Sequence, residues 1–168
     1  MTRRILVACV GNIFFGDDGF GSEVARRLGE EDLPEEASVV DFGIGGVHLA
    51  YELVDGWDLV VIVDAVSRGD PPGTVTVIDA GEASSSEGVG TLAAMDAHGM
   101  DPAAVLGMAG DLGARLGRVL IVGCEAQSAE EGMGLSSPVA AAVEPALRSI
   151  IRLVSDDSFI PPDKEPCP

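Results

Sequence analysis

Five consecutive apolar residues, Leu-Val-Val-Ile-Val at positions 59–63, constrain the fold of this 168-residue chain more than any other feature. Four of the five are β-branched, and an acid, Asp64, follows directly. An unbroken apolar strand has to be covered on both of its faces, as the central strands of parallel sheets are. The run therefore predicts a sheet that lies between two layers of helices.

Strand-like and helix-like segments alternate along the rest of the chain. In the first helical segment, Phe20, Val24 and Leu28 fall on one face, and Asp101-Pro102 is a typical helix start. The alternation predicts a single-domain, three-layer α/β/α sandwich over residues 1–154, with a mostly parallel, twisted sheet and helices on both faces. Strands are predicted over residues 5–10, 39–42, 59–63, 74–78 and 119–124, and helices over residues 20–28, 47–54, 101–116 and 137–154.

Two stretches have the composition of irregular segments. Residues 80–97 are polar and rich in serine and glycine, which predicts an excursion over the surface. Residues 155–168 combine prolines and acids with little apolar surface. That composition predicts a disordered tail.

The charge and cysteine content narrow the function. Twenty-eight acidic residues against ten basic ones give a net charge of −18, which repels nucleic acid and anionic membranes. No apolar stretch approaches the ~20 residues of a membrane span, and no signal peptide is indicated. Cys9, Cys124 and Cys167 show no CxxC spacing, and the first two are predicted to be small buried apolar residues. We expect a cytoplasmic protein with no nucleic-acid or membrane partner.

Acids and a histidine follow the predicted strands. Asp17 and Asp18 come after the first strand, Asp64 ends the third, and Asp96 and His98 precede the helix at residue 101. Ligands of such sheets bind beyond the carboxyl ends of the strands, so these side chains are expected to share one edge. Carboxylates with one imidazole suit a divalent transition metal such as zinc or nickel.

Each of these residues also has an ordinary structural interpretation. Asp17 or Asp18 could cap the helix that begins near Phe20, where the helix dipole favours a carboxylate. Asp64 could be a turn residue and His98 a surface residue. The metal-site interpretation depends on all of them reaching the same edge of the sheet.

Two other protein classes share parts of the pattern. A receiver-type signalling module also has an acidic pair after its first strand and an Asp at the end of its third, but it needs a lysine after its last strand. The only lysine here is Lys164, near the C-terminus. A dinucleotide-binding domain needs a GxGxxG run between a strand and a helix, which is absent.

The run Gly-Asn-Ile-Phe-Phe-Gly-Asp-Asp-Gly-Phe-Gly at residues 11–21 resembles the GNxLxxDDGxG signature of the hydrogenase maturation endopeptidases. The resemblance extends over roughly residues 4–154 and agrees with the fold predicted above. It implies an endopeptidase that removes a C-terminal extension from the nickel-loaded precursor of a nickel–iron hydrogenase large subunit. Further matches follow in order at residues 41–43, 61–66, 96–99, 123–125 and 134–138.

The resemblance also implies roles for individual residues. The metal-site positions of the family fall on Asp18, Asp64 and His98, with Asp18 and Asp64 beside the cleaved bond and Asp17 as a neighbour. The metal is expected to be nickel carried by the substrate, with zinc or cadmium able to replace it in vitro. No other cofactor is implied, and we expect a monomer or a weak homodimer.

The chain departs from the family pattern at two places. Ala126 stands where many relatives have proline after Gly-x-Glu, and residues 43–46 read Gly-Ile-Gly-Gly rather than the commoner GGT form. His48 follows this segment, and is either a second imidazole near the cleft or a residue of the helix face.

Three functional alternatives remain open. A metal could polarise the scissile carbonyl or supply a hydroxide. Alternatively, a carboxylate could act as general base on water while the metal only docks the substrate. A catalytically inactive relative that binds a hydrogenase as a chaperone is the third alternative, which an activity assay separates from the other two.

Overall fold

The computed structural model describes residues 2–82 and 102–157, which form one sheet with helices on both faces. The predicted α/β sandwich is confirmed. A short 3-10 helix, Gly16–Gly19, precedes the first α-helix. The strands are β1 (Ile5–Val10), β2 (Ala37–Gly43), β3 (Trp57–Val66), β4 (Val75–Glu82) and β5 (Leu116–Glu125); the helices are α1 (Phe20–Leu28), α2 (Gly46–Val54), α3 (Pro102–Asp111) and α4 (Ser137–Ser155).

The order of strands in the sheet is β2-β1-β3-β5-β4. All neighbouring pairs are parallel except β4 and β5, so the sheet is mostly parallel, as predicted. The chain passes from β1 outward to β2 and then returns to β3 on the other side of β1. The boundary between β1 and β3 is therefore the topological switch point, and ligands of such sheets bind there, beyond the carboxyl ends of the strands.

Two apolar layers cover the two faces of the sheet. Along β1, Val7 and Cys9 pack on the side of α1 and α4, whereas Leu6 and Ala8 pack on the side of α2 and α3. The apolar run at residues 59–63 is buried throughout and lies between β1 and β5. This confirms the central strand predicted from that run.

Glycine brings the start of α1 close to the sheet. A Cβ at Gly21 would lie 2.2 Å from the carbonyl oxygen of Val10 and 2.9 Å from that of Val63. No side chain fits there without moving one of these backbones. The first turn of α1 is thus held against the carboxyl ends of β1 and β3.

The boundaries of α3 and β5 differ from the predicted ones. Helix α3 ends at Asp111 rather than near residue 116, because Gly113 has a φ of +90° and turns the chain. Strand β5 accordingly begins at Leu116, three residues before its predicted start. Strand β4 continues to Glu82, so residues 80–82 of the predicted surface excursion belong to a strand, and residues 83–97 of it lie outside the described residues.

The end of α4 is joined to the N-terminal segment. Arg3 pairs with Asp157 at 2.9 Å and donates a hydrogen bond to the carbonyl oxygen of Val154 at 3.2 Å. Ser155 belongs to the helix, and residues 158–168 lie outside the described residues, so the disordered tail stays a prediction. Of the helices described, none is both long and apolar enough to cross a bilayer.

Candidate functional site

The loop after β1 folds around Gly11, at the switch point of the sheet. Gly11 has a φ of +139°. A Cβ at this position would lie 2.0 Å from the carbonyl oxygen of Asp18 and 3.9 Å from Oδ1 of Asp64. Conformation and space therefore both require glycine. The backbone of Asp18 and the carboxylate of Asp64, which are far apart in the sequence, are thus both neighbours of this one residue.

Asp18 is fixed against its own loop. Its Oδ2 accepts a hydrogen bond from the backbone N–H of Asn12 at 3.0 Å, and its carbonyl oxygen lies 3.0 Å from the same nitrogen. The side chain of Asn12 in turn accepts a hydrogen bond from the N–H of Phe14 at 3.0 Å. Asp18 is half-buried, so its carboxylate is oriented by the protein without being sealed inside it.

Asp64 was predicted to end the third strand, but β3 continues to Val66, so Asp64 lies within it, opposite Gly123 of β5. Alternation along the strand places it on the same face as Ile62 and Val66, which is the face covered by α2 and α3. Asp64 is half-buried. The strand thus delivers this carboxylate to the edge of the sheet where the Asp18 loop lies.

His98 and Asp96 lie outside the described residues. Helix α3 begins four residues after His98 and packs on the same face as Asp64. Because α3 is followed by β5, its first turn points toward the carboxyl ends of the parallel strands. The four residues from His98 to the start of α3 span at most about 14 Å. Within the described ranges no three or more His, Cys, Asp or Glu side chains are grouped to hold a metal ion. The metal set of Asp18, Asp64 and His98 stays a prediction.

Asp17 is completely buried and ties two loops together. Its Oδ2 accepts hydrogen bonds from the N–H of Gln127 at 2.8 Å, the N–H of Ser128 at 3.0 Å and the hydroxyl of Ser136 at 2.8 Å; its Oδ1 accepts the N–H of Ser136 at 2.7 Å. Burial by itself would raise the pKa of Asp17, but these hydrogen bonds outweigh it and lower the pKa below its usual value.

Asp17 therefore does not cap α1, which was one of its possible roles. Its partners lie 110 to 119 residues further along the chain. Ser136 is the residue before α4, so the same carboxylate fixes the start of that helix. Sequence reasoning identified Asp17 only as a neighbour of the site. The acidic pair was visible in the sequence, but the donors on the second loop were not.

Glu125 has a similar role on the other side of Asp64. It is buried, and its carboxylate accepts hydrogen bonds from the N–H groups of Arg68 at 3.0 Å and Gly69 at 3.1 Å, which fixes the loop after β3. The next residue, Ala126, donates its N–H to the carbonyl oxygen of Val66 at 3.0 Å. Proline has no N–H, so this departure from the family pattern adds a bond.

His48 is exposed in the first turn of α2. A Cβ on Gly45 would lie 3.1 Å from Cδ2 of His48, so the imidazole lies over the glycine segment that enters the helix. This position agrees with the helix-face interpretation of His48.

The two described cysteines are buried free thiols, as predicted. Burial, with smaller contributions from Asp17 and Glu125, raises the pKa of Cys124 to about 12. Burial also raises the pKa of Cys9 far above its usual value. Neither thiol forms the thiolate that a cysteine nucleophile requires near neutral pH.

Comparison with known proteins identifies the family of this chain. Residues 22–153 match the hydrogenase maturation protease family. The chain belongs to this family. A Methanocaldococcus jannaschii protein named as a hydrogenase maturation protease is 34% identical over 154 residues, which cover 89% of this chain and 95% of that protein. The signature run at residues 11–21 lies just before this match, whereas the later matches noted in the sequence, from residue 41 to residue 138, lie within it.

Solved structures agree with this assignment. The hydrogenase maturating endopeptidase HybD from Escherichia coli is 28% identical, with a TM-score of 0.75 over 90% of this chain and 92% of that one. HybD from Thermococcus kodakarensis is 28% identical, with a TM-score of 0.69 over 90% and 99%. The protein is a hydrolase of the protease class, and it functions in hydrogenase maturation.

Proposed function

We propose that this protease removes a C-terminal extension from the nickel-loaded precursor of a nickel–iron hydrogenase large subunit. The observation that carries the proposal is that the backbone of Asp18 and the carboxylate of Asp64 both lie beside Gly11, at the switch point of the sheet, in a member of this family. Acids held at the carboxyl ends of β1 and β3 lie where ligands of such sheets bind.

The proposed reaction is hydrolysis of one amide bond. A carboxylate oxygen of Asp18 or Asp64 takes a proton from water while the water oxygen bonds to the scissile carbonyl carbon. The C–N bond then breaks, and the amide nitrogen leaves with a proton. Both described cysteines are buried with raised thiol pKa values, which favours this direct route over a covalent one through either of them.

We propose that nickel enters this site as part of the substrate. Asp18, Asp64 and His98 would bind the nickel ion that the precursor carries, which positions the bond to be cut. Two carboxylates and an imidazole suit nickel, and also zinc or cadmium, which we expect to bind the isolated protein in vitro. In this proposal the metal is recognised, and a carboxylate supplies the general base.

The remaining proposals follow from charge and from the cysteines. We propose a cytoplasmic protein that acts as a monomer or weak homodimer and binds neither nucleic acid nor membranes. The net charge of −18 supports the low oligomeric state and the absence of these partners, because like-charged surfaces and polyanions repel it. The two buried free thiols favour a reducing compartment.

Mass spectrometry of the cognate precursor tests the function. Wild-type protein should shorten the nickel-loaded precursor once, by a short peptide, and should leave the nickel-free precursor intact. Asp18→Asn and Asp64→Asn should each lower the cleavage rate by about 10² to 10⁴, the size of a general-base contribution. Both variants should keep the melting temperature of the wild type within a few degrees.

Asp70→Asn is the matched control. Asp70 is exposed in the loop after β3, so this change removes one acidic charge from the same end of the molecule without touching Gly11. It should leave cleavage unchanged. An unaltered precursor mass with wild-type enzyme, or equal cleavage by Asp64→Asn, would defeat the proposal. Equal cleavage of the nickel-free and the nickel-loaded precursor would show that nickel plays no part in the proposed recognition.

A further inference from the structure

Four exposed apolar side chains lie beside the proposed site and form an apolar crest. Ile13, Phe14 and Phe15 follow one another in the loop after β1, and Met133 lies in the loop after β5. Phe14 is 58% exposed and Met133 73%. The two loops are joined, since Phe15 forms a parallel bridge with Gly132. Scattered apolar residues are ordinary on protein surfaces, whereas a contiguous set marks an interface.

Backbone hydrogen bonds hold the crest in place. The N–H of Gly16 donates to the carbonyl oxygen of Gly132, and the N–H of Gly132 donates to that of Phe14, both at 2.7 Å. The side chain of Asn12 accepts the N–H of Phe14, and the buried Asp17 anchors the end of the loop. Side chains presented by an ordered loop lose little entropy on binding, so this geometry favours association.

The crest is continuous with the proposed site. Asn12 connects the two, because its side chain accepts a bond from Phe14 while its N–H donates to Asp18. A partner that covers Phe14 and Phe15 therefore brings its own chain next to Asp18. This continuity associates the crest with the substrate rather than with a remote regulator.

Charge indicates the kind of surface that fits the crest. Among residues 2–82 and 102–157, Arg68 is the one arginine or lysine in the loops at the carboxyl end of the sheet. With a net charge of −18, two copies that met at this end would bring like charges together. A surface that carries arginine or lysine around an apolar centre would be complementary. The acids nearest the crest outside the proposed site are Glu130 and Glu131, both exposed and directly before Gly132 and Met133 in the same loop.

We propose that the apolar crest binds the folded body of the precursor, at a surface with an apolar centre and a border of arginine or lysine. This inference rests on the proposed function, and adds that the enzyme recognises its substrate beyond the extension that it removes. Phe14 and Phe15 contact the apolar centre of the precursor's surface, and Glu130 and Glu131 pair with the arginine or lysine residues at its border.

The test compares two double variants by their affinity for the precursor. Phe14→Ser with Phe15→Ser removes the centre of the crest. The matched control, Met108→Ser with Leu112→Ser, removes two apolar side chains that are 40% and 45% exposed in α3 and just after it. Truncation of a buried aromatic anchor commonly weakens binding by at least about tenfold. We expect the crest variant to raise Kd and KM by that factor or more, and the control to change them less than twofold.

Further measurements identify which surface of the precursor is bound. A synthetic peptide of the extension should bind the wild type and the crest variant alike, or neither. Salt should weaken binding of the precursor to the wild type. Phe14→Leu with Phe15→Leu should retain most of the affinity, which separates lost apolar contact from a disturbed loop.

Three results would overturn the inference. The first is equal affinity of the crest variant and wild type for the precursor. The second is a wild-type dimer in analytical ultracentrifugation that the crest variant abolishes, which would assign the crest to a second copy. The third is a melting temperature of the crest variant that falls well below that of the control variant, which would show that the crest stabilises the protein's own fold. If the wild type cuts the precursor and the crest variant binds and cuts it equally well, only the inference about the crest fails. If the wild type does not cut the precursor, the proposed function fails.

Discussion

The two ends of the sheet are stabilised by different chemistry. At the amino end, arginine side chains make the connections. Arg4 donates to the carbonyl oxygens of Asp55 and Gly56, both at 2.8 Å, and its guanidinium lies 4.4 Å from the ring centre of Trp57. These bonds satisfy carbonyl groups at the end of α2, where a cation is favourable.

At the carboxyl end, buried carboxylates accept hydrogen bonds from backbone amides. Asp17 holds the loop after β5, and Glu125 holds the loop after β3. Backbone amides and one serine hydroxyl thus fix these loops. The carboxyl end is held by carboxylates that accept hydrogen bonds, whereas the amino end is held by guanidinium groups that donate them.

The largest effect on stability should come from Asp17. Asp17→Ala leaves four donors without their acceptor inside the protein, and breaking a buried charged interaction of this kind costs about 3–5 kcal/mol. Denaturant unfolding followed by the fluorescence of Trp57, the single tryptophan, measures the loss. Asp70→Ala, at an exposed position, should stay within about 0.5 kcal/mol of the wild type. A similarly small loss for Asp17→Ala would show that this buried carboxylate does not hold the carboxyl end together.

A pH series refines the same comparison. The pKa of Asp17 in the folded protein lies below its ordinary value of 3.8, so as pH falls the unfolded chain takes up the proton first. The stabilisation from Asp17 is therefore complete above that ordinary value and is lost as pH falls through the lower, folded pKa.

The difference in unfolding free energy between wild type and Asp17→Asn should accordingly stay constant from about pH 7 to about pH 5, and should narrow in the acid range below the ordinary value. Urea titrations at each pH give both free energies. For Asp70→Asn, the small difference should stay small throughout the series. A gap for Asp17→Asn that widened on acidification would mean that the pKa of Asp17 is raised by folding rather than lowered.

The smallest effect should come from the amino end. Arg4→Met keeps the aliphatic part of the side chain but removes two hydrogen bonds and the cation from the face of Trp57. We expect a loss of about 1 kcal/mol, because the arginine is exposed to water. Circular dichroism is the suitable probe, since the change also alters the surroundings of Trp57. Cleavage of the precursor should stay within twofold of the wild type; a tenfold loss would show that this end also serves the site.

Much of the fold could be predicted from the sequence because periodicity records burial locally. The apolar run at residues 59–63 indicated a central strand, and the pattern of Phe20, Val24 and Leu28 indicated a helix face. The rule that ligands bind at the carboxyl ends of parallel strands then placed Asp18 and Asp64 at one edge. The sequence alone thus determined the architecture, and it predicted that Asp18 and Asp64 belong to one site, which stays a prediction.

Only the tertiary structure decided which groups hold those residues. The partners of Asp17 lie more than 100 residues away, and Glu125 binds amides 56 and 57 residues before it. Hydrogen bonds between loops depend on which strand ends become neighbours, and no local pattern encodes that. The same holds for the apolar crest. A run of three apolar residues in a sequence predicts burial, and only the folded structure shows that Ile13, Phe14 and Phe15 are exposed.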